Sequence, residues 1–303
     1  MDEGQRGSGA AFAVAAYGFW GFAPLYFKWL GDIGAWQVVA HRVLWTALLL
    51  VPILLLLGAL PKLRAVLGDR RCLAGLALSA VLIGGNWSIF IYAILAERVL
   101  EASLGYFVNP LVSLVLGMIF LGERLRPVQW LAVAVASAGV VNELLRFGDL
   151  PWLGLMLAFS FGFYGLVRKR LAVDSFVGLT VESWILLPPA LAWLAWNFAT
   201  GGDHFTRSLG DALRLTLAGP VTMIPLLCFA AAANRLPLSF LGFFQYIAPS
   251  LMFVLAVTRF GEPFEPGQTY TFGPIWCALL LFTANAVYVQ RRAARARSPE
   301  EPA

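Results

Sequence analysis

Ten apolar stretches, each close to the length that crosses a lipid bilayer, leave this chain few folds to adopt. A helix needs about 20 apolar residues to cross the hydrocarbon core, and roughly 17–25 are tolerated. Helices suit this solvent because they satisfy their own backbone hydrogen bonds. The predicted spans are residues 10–30, 35–57, 72–95, 102–121, 127–143, 150–167, 175–199, 213–234, 237–258 and 271–290. The sequence therefore predicts an all-α membrane protein with ten transmembrane helices.

The composition agrees with this class and argues against others. Of the 303 residues, 60% are apolar and 13% are charged, against about 25% charged in a soluble domain. The net charge of +5 does not indicate nucleic-acid binding, because the basic residues form short clusters between apolar runs without a basic-aromatic patch. The three cysteines lie singly in apolar runs, so neither a disulfide framework nor a metal knuckle is predicted. No cofactor is expected.

The basic residues also predict the orientation in the membrane. With both termini inside, fifteen Lys and Arg side chains fall in the inner loops and tails and six fall in the outer loops. This bias favours cytoplasmic termini. The remaining basic residue is Arg42, which lies inside the second span.

Two turns indicate an internal repeat. The residues Pro110, Gly122, Glu123 and Pro127 recur 139 positions later as Pro249, Gly261, Glu262 and Pro266. Because each half has five helices, the second half starts on the opposite side, so the repeat is inverted. Inverted repeats are typical of secondary transporters, which bind substrate near the midplane where the repeats meet. The predicted units are a cytoplasmic N-terminus (1–9), two five-helix repeats (10–146 and 150–290) and a basic cytoplasmic tail (291–303).

Several strings resemble a known family. They are Ala40-His41-Arg42 with Trp45, Asn86-Trp87, residues 101–110, Gly122-Glu123-Arg124-Leu125 and residues 243–249. The chain thereby resembles the RarD branch of the EamA-type drug/metabolite transporters over residues 15–292. The resemblance implies ten helices, an inverted five-plus-five repeat and a bacterial inner-membrane location. It does not supply a substrate, and it adds Trp45 to the candidate binding residues.

Ionisable residues inside the spans are the first candidates for a substrate site, because they are costly there and usually face a cavity or a partner. Arg42 is predicted to hold an anionic group or to gate the site, with snorkelling or a fixed ion pair as the alternatives. Glu182 occupies the related place in span seven and is predicted to approach Arg42 or to couple transport to protons. A structural ion pair is equally compatible. His41 can titrate near neutral pH, although a histidine bonded to a carbonyl is commoner.

Polar side chains beside prolines complete the predicted site. Proline removes a backbone hydrogen bond and opens spans four and nine, at Pro110 and Pro249. The remaining predicted substrate-binding residues are Asn86, Trp87, Ser103, Tyr106, Asn109, Gln245 and Tyr246. Ser103, Tyr106 and Asn109 share one helical face. The alternative is that these amides bridge helices. The repeated Glu123 and Glu262 sit at helix ends, where capping of the next helix is expected.

Three classes of function were weighed. A secondary transporter, exporting a small organic solute with a proton as coupling ion, fits the repeat. An intramembrane enzyme is disfavoured because the chain has no His-Glu-x-x-His, Gly-x-Ser-x-Gly or P-loop motif. A scaffold or receptor would need a sizeable soluble face, which the sequence does not offer. The expected partners are the lipid bilayer and a small-molecule substrate, without nucleic acid, and a homodimer stays open.

Overall fold

The computed structural model describes residues 3–96, 98–261 and 266–295, and all regular secondary structure in that part of the chain is helical. The helices are α1 (Glu3–Leu30), α2 (Ala35–Leu56), α3 (Leu60–Gly68), α4 (Arg70–Leu95), α5 (Val99–Leu121), α6 (Pro127–Phe147), α7 (Trp152–Leu171), α8 (Ser175–Ala199), α9 (Leu209–Arg235), α10 (Leu238–Gln245), α11 (Ile247–Thr258) and α12 (Pro266–Arg295).

Helices occur at all ten positions where spans were predicted. The ninth is divided into α10 and α11 at Tyr246, as the proline at position 249 suggested. The predicted interruption of the fourth span is wrong, because α5 runs unbroken through Pro110. The short α3 was not predicted, because nine residues are too few for a search based on span length. Eight of the ten are long and apolar enough to cross a membrane. Crossing by α7 and α12 stays a prediction.

The two halves of the chain interdigitate. Helix α1 packs on α9, α10 and α11, and α7 packs on α4 and α5. Three further contacts join α2 to α8, α5 to α10, and α6 to α12. Helix α1 of the first half corresponds to α7 of the second, and α4 corresponds to α9. When each helix is replaced by its counterpart in the other half, these contacts turn into one another. Most packing is therefore between halves rather than within them.

Small residues allow the backbones to approach closely at these crossings. A Cβ atom added to Gly105 of α5 would lie 2.6 Å from the carbonyl oxygen of Gly154 in α7. One added to Gly139 of α6 would lie 2.6 Å from the carbonyl oxygen of Thr271 in α12. The Ala-rich α6 was expected to pack tightly, and Ala136 is fully buried. Close packing through small residues is how helices associate in lipid, where the hydrophobic effect between them is weak.

Glu123 ties the end of α5 to the start of α10. Its carboxylate accepts hydrogen bonds from the backbone amides of Leu238 at 2.6 Å and Ser239 at 2.7 Å. The predicted capping role is confirmed, but the helix it caps is α10 of the second half, not the next helix in sequence. The reason is that α5 and α10 are packed together. Glu262 lies outside the described residues.

The cap predicts a stability effect. We expect Glu123→Ala to destabilise the protein by about 1 kcal/mol, because two amides at the start of α10 lose their acceptor. The measurement is thermal unfolding of the purified protein in detergent. Asp149→Ala, which removes an exposed carboxylate, is the control and should leave the transition unchanged. Equal transitions for both variants would contradict the capping role.

Candidate functional site

A small cavity lies where the two halves meet. Its walls come from α2 and α4 of the first half and from α8 and α9 of the second. Its free volume is about 10 Å³, room for about one water molecule, so the cavity is nearly closed in this conformation. The lining residues are Arg42, Val43, Thr46, Ile83, Trp87, Leu179, Glu182, Ser183, Leu186 and Leu226. The cavity brings together three of the predicted site residues: Arg42, Trp87 and Glu182.

Arg42 is held by neutral groups. Its Nε donates a hydrogen bond to Oγ1 of Thr222 at 2.7 Å, and that hydroxyl donates to the carbonyl of Ala218 at 2.7 Å. The guanidinium carbon lies 4.5 Å from the centre of the Trp87 ring, a cation–π distance. Within the described part of the chain, no carboxylate forms an ion pair with it. Arg42 therefore brings a positive charge to the cavity without a negative partner.

Glu182 has a different partner from the one the sequence suggested. Its Oε1 lies 3.4 Å from Nη1 of Arg168 and also accepts a hydrogen bond from the hydroxyl of Ser79. The side chains of Arg168 and Glu182 are each 2% exposed. The expected pairing of Arg42 with Glu182 is thus replaced by the pair Arg168–Glu182. Arg168 itself, counted above as a basic anchor in a loop, lies within α7 and is buried.

Gly178 makes this buried pair geometrically possible. It precedes Glu182 by four residues, so both lie on the same face of α8. A Cβ atom at Gly178 would collide with the guanidinium of Arg168, which would have to move away. The absence of a side chain at this position lets the guanidinium of α7 pass over α8 and reach the carboxylate.

Adding one methyl group at this crossing should therefore break the pair. We expect Gly178→Ala to reduce stability by about 3 kcal/mol or more, because Glu182 is left as a buried, unpaired charge. The matched control is Gly85→Ala on α4, where an added Cβ meets nothing within 4 Å. Thermal unfolding and yield in the membrane report the result. If both alanine variants match the wild type, the tight fit around Arg168 is wrong.

The loop between α8 and α9 covers one end of the cavity-forming helices; we call residues 200–208 the cover loop. The ring of Phe205 stacks on His41, with centroids 5.1 Å apart and planes inclined by 19°. It also lies 6.0 Å from the ring of Trp45. The amide of Gln37 donates a hydrogen bond to Asp203 at 2.9 Å. His41 and Trp45, both predicted site residues, thus contact the cover loop and are absent from the cavity lining.

Asp203 organises the cover loop. Its carboxylate accepts hydrogen bonds from the backbone amides of Phe205 and Thr206, at 3.2 and 3.0 Å, and from the Thr206 hydroxyl at 2.8 Å. Partial burial by itself would raise the pKa of Asp203, but these bonds outweigh it and hold the pKa below its ordinary value of 3.8. Because the folded pKa is depressed, the stabilisation is present above pH 3.8 and is lost as the pH falls through the folded pKa.

This arrangement predicts how the cover loop exchanges hydrogen with solvent. We expect Asp203→Ala to speed exchange at the amides of Phe205 and Thr206 by about tenfold or more, the effect of losing hydrogen bonds to a charged acceptor. Wild-type protection should stay constant between pH 5 and 8 once intrinsic rates are removed. Asp32→Ala is the control, because the ion pair Asp32–Arg207 at the same end is exposed and worth little. Protection in Asp203→Ala equal to wild type would exclude this role.

Other predicted residues bridge helices. The Asn86 amide donates to the carbonyl of Leu157 and to Ser160 of α7, both at 2.9 Å. The Gln245 amide donates to Ser113 of α5 at 2.9 Å. The hydroxyl of Tyr246 donates to the Phe107 carbonyl at 3.4 Å. Such contacts correspond to the helix-bridging alternative, and none of the three predicted residues lines the cavity.

The last three predicted residues lie on α5. Tyr106 packs edge-on against Phe90, with ring centroids 6.4 Å apart. Asn109 is 9% exposed, and within the described residues its Oδ1 has no hydrogen-bond partner. Ser103 lies between them and the start of the helix. A direct contact of these side chains with a solute stays a prediction.

The sequence reasoning missed Thr222 and Arg168. Thr222 was detectable as a hydroxyl between Pro220 and Pro225, two prolines inside α9. Arg168 had no such signal, because it begins the basic run Arg168-Lys169-Arg170 at the end of α7. Such a run is equally well explained as a topology anchor, and only the packing of α7 on α4, together with the ion pair to Glu182, shows that its first member points inward.

Comparisons with known proteins give the same picture of the chain as a whole. Residues 7–142 match the EamA-like transporter family. The chain is 49% identical over 300 residues to Protein RarD of Escherichia coli (strain K12), covering 97% of this chain and 100% of that protein. It is 46% identical over 300 residues to a protein of Vibrio cholerae named as an uncharacterized transporter, with 98% of each chain covered. The chain also superposes on a crystal structure of a protein with 18% sequence identity, with a TM-score of 0.73 over 94% of this chain and 99% of the other. At this identity the likeness shows only that the two proteins share a fold.

Proposed function

The chain belongs to the RarD branch of the EamA-like transporter family, and from that premise we propose that it exports a small organic solute by alternating access through the Arg42 cavity. It is a multi-pass membrane transporter, and the cavity is the observation that carries the finer proposal. Both halves contribute helices to it, and it contains a cation that forms no ion pair within the described residues. Such a place is where secondary transporters bind their substrates.

The proposed topology has ten spans in the bacterial inner membrane, an inverted repeat of residues 10–146 and 150–290, and both termini in the cytoplasm. Support comes from the helix contacts, which are preserved when the halves are exchanged. In this topology the cover loop faces outside and α3 faces the cytoplasm. The bias of basic residues toward the inner loops supports the same orientation.

The two ends of the cavity have different closures, which is what alternating access requires. At the outer end, Phe205 covers His41 and Trp45. At the inner end, an apolar cluster joins α2 and α3 to α4 and α8; it consists of Leu54, Ala59, Leu63, Leu76, Val177 and Val181. Opening one closure while the other stays shut would expose the cavity to one side at a time. The main contacts of the two halves correspond to each other, as expected of a repeat whose halves exchange conformations during alternating access.

Glu182 is the proposed site of proton coupling. Its carboxylate lines the cavity and is also bound to Arg168 and Ser79, so its charge state affects both the substrate site and the contact between α7 and α8. A proton taken up there would weaken the ion pair. Transport by reconstituted protein should then respond to a protonophore, and an unchanged rate would remove the proton from the scheme.

The proposal predicts which variants lose transport. Arg42→Ala and Asn109→Ala should each reduce export to background while leaving membrane levels intact. Within the described residues the charge of Arg42 has no ion-pair partner and Oδ1 of Asn109 has no hydrogen-bond partner, so both are available to a solute. Metabolite profiling of medium and cytoplasm, with cells expressing wild type, a variant or no protein, identifies the exported solute.

Arg259→Ala provides the matched control, since it removes an exposed arginine and should export at the wild-type rate. Export by Arg42→Ala and Asn109→Ala at the wild-type rate would show that the proposed site is wrong. A solute profile identical in all cells would argue against export of an endogenous metabolite.

A further inference from the structure

The charges around the cavity do not balance. Three ionised side chains lie together there: Arg42, Arg168 and Glu182. The last two neutralise each other at 3.4 Å, whereas Arg42 has only the neutral partners Thr222 and Trp87. The group thus carries one net positive charge in the interior of the bundle. Buried charges are costly unless they are paired, so a negative charge entering the cavity would be stabilised.

The partners of Arg42 leave a defined part of its guanidinium for a ligand. Thr222 takes the hydrogen of Nε, and the Trp87 ring lies against one face. Within the described residues the two terminal nitrogens form no hydrogen bond or ion pair. Their outer edge presents two parallel N–H donors, which match the two oxygens of a carboxylate. The geometry thus favours a planar anionic group over a single polar atom.

The rest of the cavity is apolar. Besides Trp87, its walls include Ile83, Leu186 and Leu226. The only acidic group in the lining, Glu182, binds Arg168 and Ser79 through Oε1, and its Oε2 has no hydrogen-bond partner within the described residues. Because Arg168 already neutralises this carboxylate, an amine would find no unbalanced negative charge there. A cation would therefore meet a net positive charge, and a dianion would leave one negative charge unpaired.

We propose that the cavity, once the helices around it separate, takes a small organic monocarboxylate, whose carboxylate binds Arg42 and whose flat apolar body lies against Trp87 and the leucines. This assignment rests on the proposed function for its biological meaning, since it names the class of solute that the transporter moves. The binding step itself needs no transport and is measurable on the purified protein.

The test is thermal unfolding of the full-length protein in lipid nanodiscs, with benzoate, benzamide or benzylamine as probes. The three share a ring and differ in head-group charge. Saturating benzoate should raise the unfolding temperature of the wild type by at least about 2 °C, because a ligand that binds only the folded state stabilises it. Benzamide and benzylamine should have no effect at the same concentration and ionic strength.

Variants assign the effect to Arg42. Arg42→Gln should abolish the benzoate shift, and Arg259→Gln, the control at an exposed arginine, should retain it. If Arg42→Gln does not fold, Thr222→Val tests the same site, since it releases Nε and should weaken benzoate binding several-fold. Equal shifts with all three probes, no shift with benzoate, or a full benzoate shift in Arg42→Gln or Thr222→Val would overturn the proposal.

A transport assay distinguishes the proposal of an anion site from the proposal of transport. Benzoate binding that depends on Arg42, in a protein that moves no solute in proteoliposomes, would support the anion site and overturn the transport proposal. Transport of neutral solutes, together with no benzoate binding, would overturn the anion site and leave the transport proposal intact.

Discussion

The need to neutralise charge inside a membrane protein shapes the centre of this molecule. A charged side chain at the middle of a span costs about 2.5–3.5 kcal/mol on insertion scales, unless a partner or water relieves it. For Glu182 the protein meets this requirement through Arg168 and Ser79, which both contact its Oε1. The charge of Arg42 is relieved only in part, because its partners are a hydroxyl and an indole ring. The difference separates a charge that holds the fold together from one that remains available to a solute.

Close helix packing is what allows the fixed pair to exist. The guanidinium of Arg168 reaches Glu182 only because α8 has a glycine one turn earlier, at Gly178. The same reliance on small residues recurs where α5 crosses α7 and where α6 crosses α12. Since most of these crossings join the first half to the second, the cavity and its charges depend on how the two halves fit. A change in that fit would alter the cavity from both sides.

Much of the fold could be predicted from hydropathy, and the centre of the site only in part. Apolar length gave the helix positions, because membrane spans are limited by bilayer thickness, and the charge of Arg42 drew attention to α2. The sequence did not show which side chains bind each other across different helices. The partner of Glu182 lies at the end of α7, in a run of basic residues, and the helix that Glu123 caps belongs to the other half. Both depend on tertiary packing, which apolar periodicity does not encode.

The cover loop is a second place where the sequence does not indicate a tertiary contact. Residues 200–208 read as a polar connection, and neither hydropathy nor charge indicates that Phe205 folds back onto His41. The contact exists because Asp203 binds the amides of its own turn and the side chain of Gln37 at once. A local turn and a distant helix are thus joined by one carboxylate, and only the assembled structure shows it.

The most direct test of the account is whether the Arg42 cavity opens to both sides of the membrane. Ser183→Cys, in a background lacking Cys72, Cys228 and Cys277, would place one thiol in the cavity wall. A membrane-impermeant maleimide would then be applied to right-side-out and to inside-out vesicles. Alternating access predicts that Ser183→Cys is labelled from both sides, with slower labelling when a bound solute fills the cavity. Labelling from one side only, under every condition, would contradict it.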